Sequence, residues 1–222
     1  VTGAGGTVIG GTVAGDGNVI SGNDGTGITL DNASSAIIQG NLIGTDAGGS
    51  LSLGNAGHGI SLTNGTANTV IGGTAAGAGN TIANSLIGDG VSLSASAGSG
   101  NSIRGNSFDN NAGLGIDLGN NGLTANDAGD ADAGANGLQN YPALSRAYSN
   151  GATTTVAGTL NSTASTTFTV DFYATATLDD ARDGEGRIYL GSQTYTTNAA
   201  GTVMLAFASA VAVAPGSYIT AT

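Results

Sequence analysis

Over the first 120 residues the apolar side chains fall in pairs two positions apart: Ile28 and Leu30, Ile60 and Leu62, Val91 and Leu93, Ile116 and Leu118. Each pair sits in the phrase Gly-[Ile/Val]-x-Leu, which begins at Gly27, Gly59, Gly90 and Gly115. A second phrase, Asn-x-Ile-x-Gly-Asn, occupies residues 18–23 and 101–106, with looser copies at 36–41, 68–73 and 80–84. Apolar positions alternating with polar ones over so few residues are strand periodicity, and the phrases are too short for a helix. Short strands joined by Gly and Asn turns, three to a repeat of about 25–32 residues, describe the coils of a β-solenoid.

The pattern predicts three inward files. Ile28, Ile60, Val91 and Ile116, each with the leucine two residues on, stack on one face; Ile9, Ile38, Ile71 and Ile103 on a second; Ile20, Ile43, Ile82 and Phe108 on a third. Each coil would pair its backbone with the coils above and below at about 4.8 Å per step. Asparagines recurring at the bends would form amide ladders between coils, and glycines would supply positive φ at the sharp corners. About four or five coils fit into residues 1–120, with the insertion 46–54 bulging from a corner.

Near Tyr141 the Asn/Gly pattern gives way to Thr, Tyr and Phe. Residues 153–160, 167–173, 187–190, 194–197, 202–207 and 218–222 alternate apolar and polar positions and read as short antiparallel strands, with turns such as 198–201 between them. Six strands in this span suggest a small sandwich of immunoglobulin-like type.

Composition narrows the functional classes. Among 222 residues there are 41 glycines but only two prolines, with no Gly-X-Y period, so a collagen helix is excluded. Hydrophobic residues make up 39% and fall in regular clusters, which argues against disorder. There is no lysine; four arginines face fifteen acidic residues, a net charge of −11 that repels phosphate backbones and anionic membranes. Neither nucleic-acid binding nor membrane insertion is therefore expected. The longest apolar run, 203–214, is too short to span a bilayer and is interrupted by Ser209. With no cysteine, rigidity must come from stacked strands rather than disulfides.

The two phrases, together with residues 40–46, resemble the right-handed parallel β-helix repeats of large bacterial secreted or surface proteins. Residues 115–118, 126–132 and 138–142 are similar to the boundary where such helices meet a following module, and 168–173 with 184–191 to that module itself. The resemblance implies an all-β chain in three parts: a right-handed parallel β-helix over 1–120, an acidic Gly/Asn-rich junction over 121–142, and an Ig-like β-sandwich over 143–222. In that family the chain runs on past a strand like 218–222, so the sandwich is expected to be one closing strand short. An extracellular or cell-surface location is implied as well. Activity is not, because this architecture hosts lyases, hydrolases, adhesins and passive spacers.

Candidate chemistry is sparse. His58, the single histidine, has Thr26, Asp89 and Leu114 as repeat equivalents and reads as an exposed corner residue. Arg104 occupies an outward position whose equivalents are taken as Ser21, Gln39 and Ala83, and no charged groove forms around it. The outward ladder Thr29, Ser61, Ser92, Asp117 holds one acid where a carboxylate-pair hydrolase needs two or three, so it reads as a solvated face. The best candidate is the junction. Asp127, Asp130 and Asp132, with Asn126 and Asn136, put several oxygen ligands in a glycine-rich loop. Calcium takes six to eight oxygens in flexible geometry, so a calcium site is one reading and a solvated acidic linker the other. Asp179, Asp180, Asp183 and Glu185 form a second acidic run, which Arg182 and Arg187 can simply pair.

These observations point to a non-enzymatic structural or adhesive protein of the cell surface, matrix or a filament, with no catalytic residues. The alternative is a polysaccharide-binding or polysaccharide-cleaving β-helix. Two features suggest self-association through β-strand addition: open ends on an uncapped β-helix with no edge lysines to discourage pairing, and a sandwich one strand short, whose groove an extended segment of a neighbouring copy could fill.

Overall fold

The computed structural model describes residues 1–178 and 184–222. Twelve short strands build three parallel sheets of four. The first holds β1 (Val8–Gly10), β4 (Ile37–Gln39), β7 (Val70–Gly72) and β10 (Ser102–Arg104). The second holds β2 (Val19–Ile20), β5 (Leu42–Ile43), β8 (Thr81–Ala83) and β11 (Ser107–Asp109). The third holds β3 (Ile28–Asp31), β6 (Ile60–Thr63), β9 (Val91–Ser94) and β12 (Ile116–Gly119).

The registers reproduce the three inward files: Ile28, Ile60, Val91 and Ile116 are successive partners, as are Ile9, Ile38, Ile71 and Ile103, and Ile20, Ile43, Ile82 and Phe108. They meet in one core, in which Leu30, Ile38, Ile43, Ile60, Leu62, Ile71 and Ile82 are fully buried. Each such side chain stabilises by about 1.5–3 kcal/mol relative to exposure, while backbone groups pair with the neighbouring coils.

Asparagine does two jobs at the bends. Asn32, Asn64, Asn84 and Asn110 themselves adopt left-handed φ of 50–59°, a conformation that asparagine tolerates better than most side chains. Buried asparagines make the predicted ladder. The side-chain amide of Asn18 donates to Asn41 Oδ1, that of Asn41 to Asn80 Oδ1, and that of Asn80 to Asn106 Oδ1, each at 2.9 Å. The backbone N–H of each donor residue bonds the same oxygen. Close coil spacing makes some glycines obligatory. At Gly44, with φ of +82°, a Cβ would run into the carbonyl oxygen of Ala83.

One sequence reading needs correction. The phrase Asn-x-Ile-x-Gly-Asn lies on two faces, with residues 18–23 bearing β2 of the second sheet and 101–106 bearing β10 of the first. The register equivalents of Arg104 are therefore Gly72, Gln39 and Gly10, not Ser21 or Ala83. The same short phrase suits either bend because both require a ladder asparagine after a tight turn.

The C-terminal part forms two antiparallel sheets of three strands each: β13 (Ala143–Ser149), β14 (Thr154–Asn161) and β17 (Thr202–Ser209) in one, β15 (Thr167–Thr175), β16 (Ile188–Thr196) and β18 (Tyr218–Ala221) in the other. β13 was not legible in the sequence, and the expected strands 187–190 and 194–197 are one, β16. The outward residues of β13 are largely exposed, which blurs its alternation. Gly191, which interrupts the apolar pattern of β16, sits at φ of +131° against the ring of Phe207. Phe172 and Phe207 stack at 4.1 Å between the sheets, in a core shared with Val156, Leu160, Val170 and Leu205.

Candidate functional site

The junction brings its three acids together. One carboxylate oxygen from each of Asp127, Asp130 and Asp132 lies within 4.8 Å of the others. Most of these oxygens also hold the loop. Asp127 accepts the N–H of Ala131 at 3.0 Å; Asp130 accepts the N–H of Asn140 at 2.8 Å and the hydroxyl of Ser162 at 2.7 Å. Asp132 is the exposed member. Its carboxyl is held above the usual carboxylate range, first by partial loss of solvent and then by the charges of Asp127 and Asp130. The two asparagines expected beside them point elsewhere: Asn126 brackets the backbone of Tyr141, and Asn136 bonds Asn101. The junction is thus a hydrogen-bonded loop with three clustered carboxylates, rather than a slack linker.

Around it the sandwich closes the end of the β-helix, which sequence reasoning left open. Asn136, at a left-handed φ of 50° in the turn over Ala135–Leu138, accepts the N–H of Asn101 at 3.0 Å and stands in the next ladder position. Glu185 does the same for another bend, accepting both the N–H and the side-chain amide of Asn111 at 2.7 Å. The N–H of Gly105 donates to the Tyr173 hydroxyl at 2.9 Å, and that of Phe108 to the Gly186 carbonyl at 3.3 Å. Arg104 makes a fork with Asp171 of β15, Nη2 to Oδ1 at 2.6 Å and Nε to Oδ2 at 3.0 Å. Asp171 is 1% exposed, and the pair raises the Arg104 pKa further above its ordinary value. Burial, and then Asp171, likewise push the Tyr173 phenol up. Arg187 reaches Asp109 at 3.3 Å. The partner of Arg104, 67 residues away, carries no local signal in the sequence.

The remaining candidates change character. His58 is not an exposed corner: its side chain is 23% exposed, and Nδ1 accepts the N–H of Asp89 at 3.0 Å and lies 3.2 Å from Asp89 Oδ2. The outward ladder is solvated only at its start. Ser92 and Asp117 are buried beneath residues 120–122; Ser92 donates to Asn120 and Asp117 accepts from Gly122. Asp179, Asp180, Arg182 and Asp183 lie outside the described residues.

The fold and joint define the class: a parallel β-helix whose last coil is sealed by an antiparallel sandwich, with a clustered-acid loop at the seam. The chain matches the model of a family described as periplasmic copper-binding protein (NosD) over residues 10–127, more than half of its 222 residues, and it belongs to that family. The family is one of periplasmic right-handed β-helices, consistent with the three stacked parallel sheets. None of the curated proteins matches the chain. No helix among the described residues is long and apolar enough to cross a membrane.

The residues do not fit copper. Thiolate and thioether donors select copper(I), and copper(II) takes tetragonal sites built from imidazole nitrogen and oxygen. The matched region contains no cysteine or methionine and one histidine, whose Nδ1 is engaged by Asp89. Among the described residues, the junction offers a cluster of three carboxylates and no nitrogen or sulfur side-chain donor beside them.

Proposed function

We propose that this chain is a non-catalytic structural module of the periplasm or cell exterior, a stiff rod in which β-helix and sandwich move as one body. The observation that carries this reading is the joint. A bidentate Arg104–Asp171 pair with its carboxylate buried, flanked by the Glu185–Asn111 and Asn136–Asn101 ladder extensions, ties the two parts together. A binding role on a surface polysaccharide, and an immunoglobulin-like ancestry for the sandwich, fit the same architecture. Calcium at Asp127, Asp130 and Asp132 would stiffen the seam further by neutralising three like charges. Self-association, if it contributes, would use the β1, β2 and β3 side, since the β10, β11 and β12 side faces the sandwich.

Small-angle scattering tests the rod. The wild-type profile should fit one rigid body, and Arg104→Ala combined with Glu185→Ala should broaden the distance distribution. Equal flexibility in both proteins would remove the reading. Incubation with pectin and alginate tests the non-catalytic part: release of unsaturated or reducing ends, abolished by Arg104→Ala or His58→Ala, would replace it with a polysaccharide-cleaving function.

A further inference from the structure

Among the described residues, the sandwich meets the rim of the last coil but leaves space beneath its core. A cavity of about 350 Å³ remains there. Ile103, Ile116 and Leu118, the last members of their inward files, form its ceiling and are only partly buried. Leu123, Leu138 and Tyr141 from the junction line it as well. Arg104 and Asp171 are among its polar lining residues. The cleft is open to solvent on one side; most of its lining surface is apolar, and Asn101, Gln139 and Thr169 line it besides Arg104 and Asp171. An interdomain cleft that combines apolar surface with polar groups is where small molecules bind.

From this geometry we propose that the cavity is a binding site for a small amphiphile with an aliphatic body and an uncharged acceptor head, such as a medium-chain alcohol or ketone. The body replaces the missing next rung of the core, covering Ile116 and Leu118. The head is assigned from Arg104. A guanidinium has five N–H donors, and Asp171 takes two of them, leaving donors for an oxygen acceptor. The charge of Arg104 is already balanced by Asp171. An anionic head would therefore add an unbalanced charge in a chain of net charge −11, whereas a hydroxyl or carbonyl oxygen adds none.

The chain lacks tryptophan, so a single introduced indole reports without background. Leu123 is 61% exposed at the cavity wall, and Leu123→Trp should fold unchanged. Titration with 1-decanol should give a saturable blue shift of its emission. Decanoate should bind at least tenfold more weakly, and Val13→Trp, a remote site 67% exposed, should show no saturable change. In the unmodified protein, nuclear Overhauser contacts should run from the decanol methylenes to the methyl groups of Ile103, Ile116 and Leu118. A shift that rises linearly without saturation, or contacts confined to other methyl groups, overturns the site. Decanoate binding as tightly as decanol overturns the assignment of an uncharged head.

Discussion

Arg104 and Asp132 show two fates of a charged side chain in this molecule. Arg104 keeps about a third of its side chain in water, but its partner Asp171 is buried. Removing the arginine leaves that carboxylate uncompensated. Arg104→Ala should therefore destabilise by about 3 kcal/mol, the low end for a broken buried pair because one partner is partly solvated. Denaturant titration of both proteins checks the value. Asp132 stands in the opposite situation. Its folded pKa lies above the ordinary value, so its ionisation opposes folding; the penalty is absent below the ordinary carboxylate pKa and complete once pH passes the folded one. Calcium should raise the melting temperature at pH 7, and the gain should fade as pH falls through the carboxylate range. A gain that is the same at pH 3.5 and pH 7 would detach calcium from this cluster. Asp46 works the other way: N–H donors from Leu51 and Ser50 hold it below the usual range, so its contribution is lost only on acidification through its folded pKa.

The ladder is the element that sets the spacing of the coils. Asn80 is 1% exposed and accepts two hydrogen bonds from Asn41 while donating to Ile38 and Asn106. Asn80→Ala strands several buried groups at once, at about 1–3 kcal/mol for each left unsatisfied. We expect a net loss of about 3 kcal/mol, a fall of about 6–12 °C in melting temperature. A second ladder has a built-in fault. Asn23 bonds Asn55, and Ser85 bonds Asn111, but the buried hydroxyl of Ser85 has no partner. Ser85→Asn should join the two halves and stabilise by about 1 kcal/mol. A lower melting temperature for this variant would mean that the bend has no room for an amide.

At the scale of the whole molecule, the joint decides how the protein unfolds. Ladder bonds continue from the last coil into residues 136 and 185, so the junction and the sandwich together occupy the place of a further coil. Loss of either part exposes the other's buried groups. Thermal unfolding should then be a single transition, with calorimetric and van't Hoff enthalpies in agreement. In Arg104→Ala combined with Glu185→Ala it should split into two. Two transitions in the unaltered protein would show that the parts are energetically independent.

The repeat phrases by themselves determined the β-helix, its three inward files and its asparagine ladder, because each coil makes the same contacts with its neighbours and local periodicity suffices to specify them. The acidic cluster was legible for the same reason: its members lie within six residues of one another. What only the tertiary structure decided are contacts between residues far apart in the chain. Asp171 meeting Arg104, Glu185 and Asn136 entering ladder positions, His58 turning to Asp89, and the cavity under Ile116 and Leu118 all depend on how the sandwich closes onto the last coil or how one coil lies on the next. A repeat pattern specifies how like stacks on like; it carries no information about the unlike surface that ends the stack.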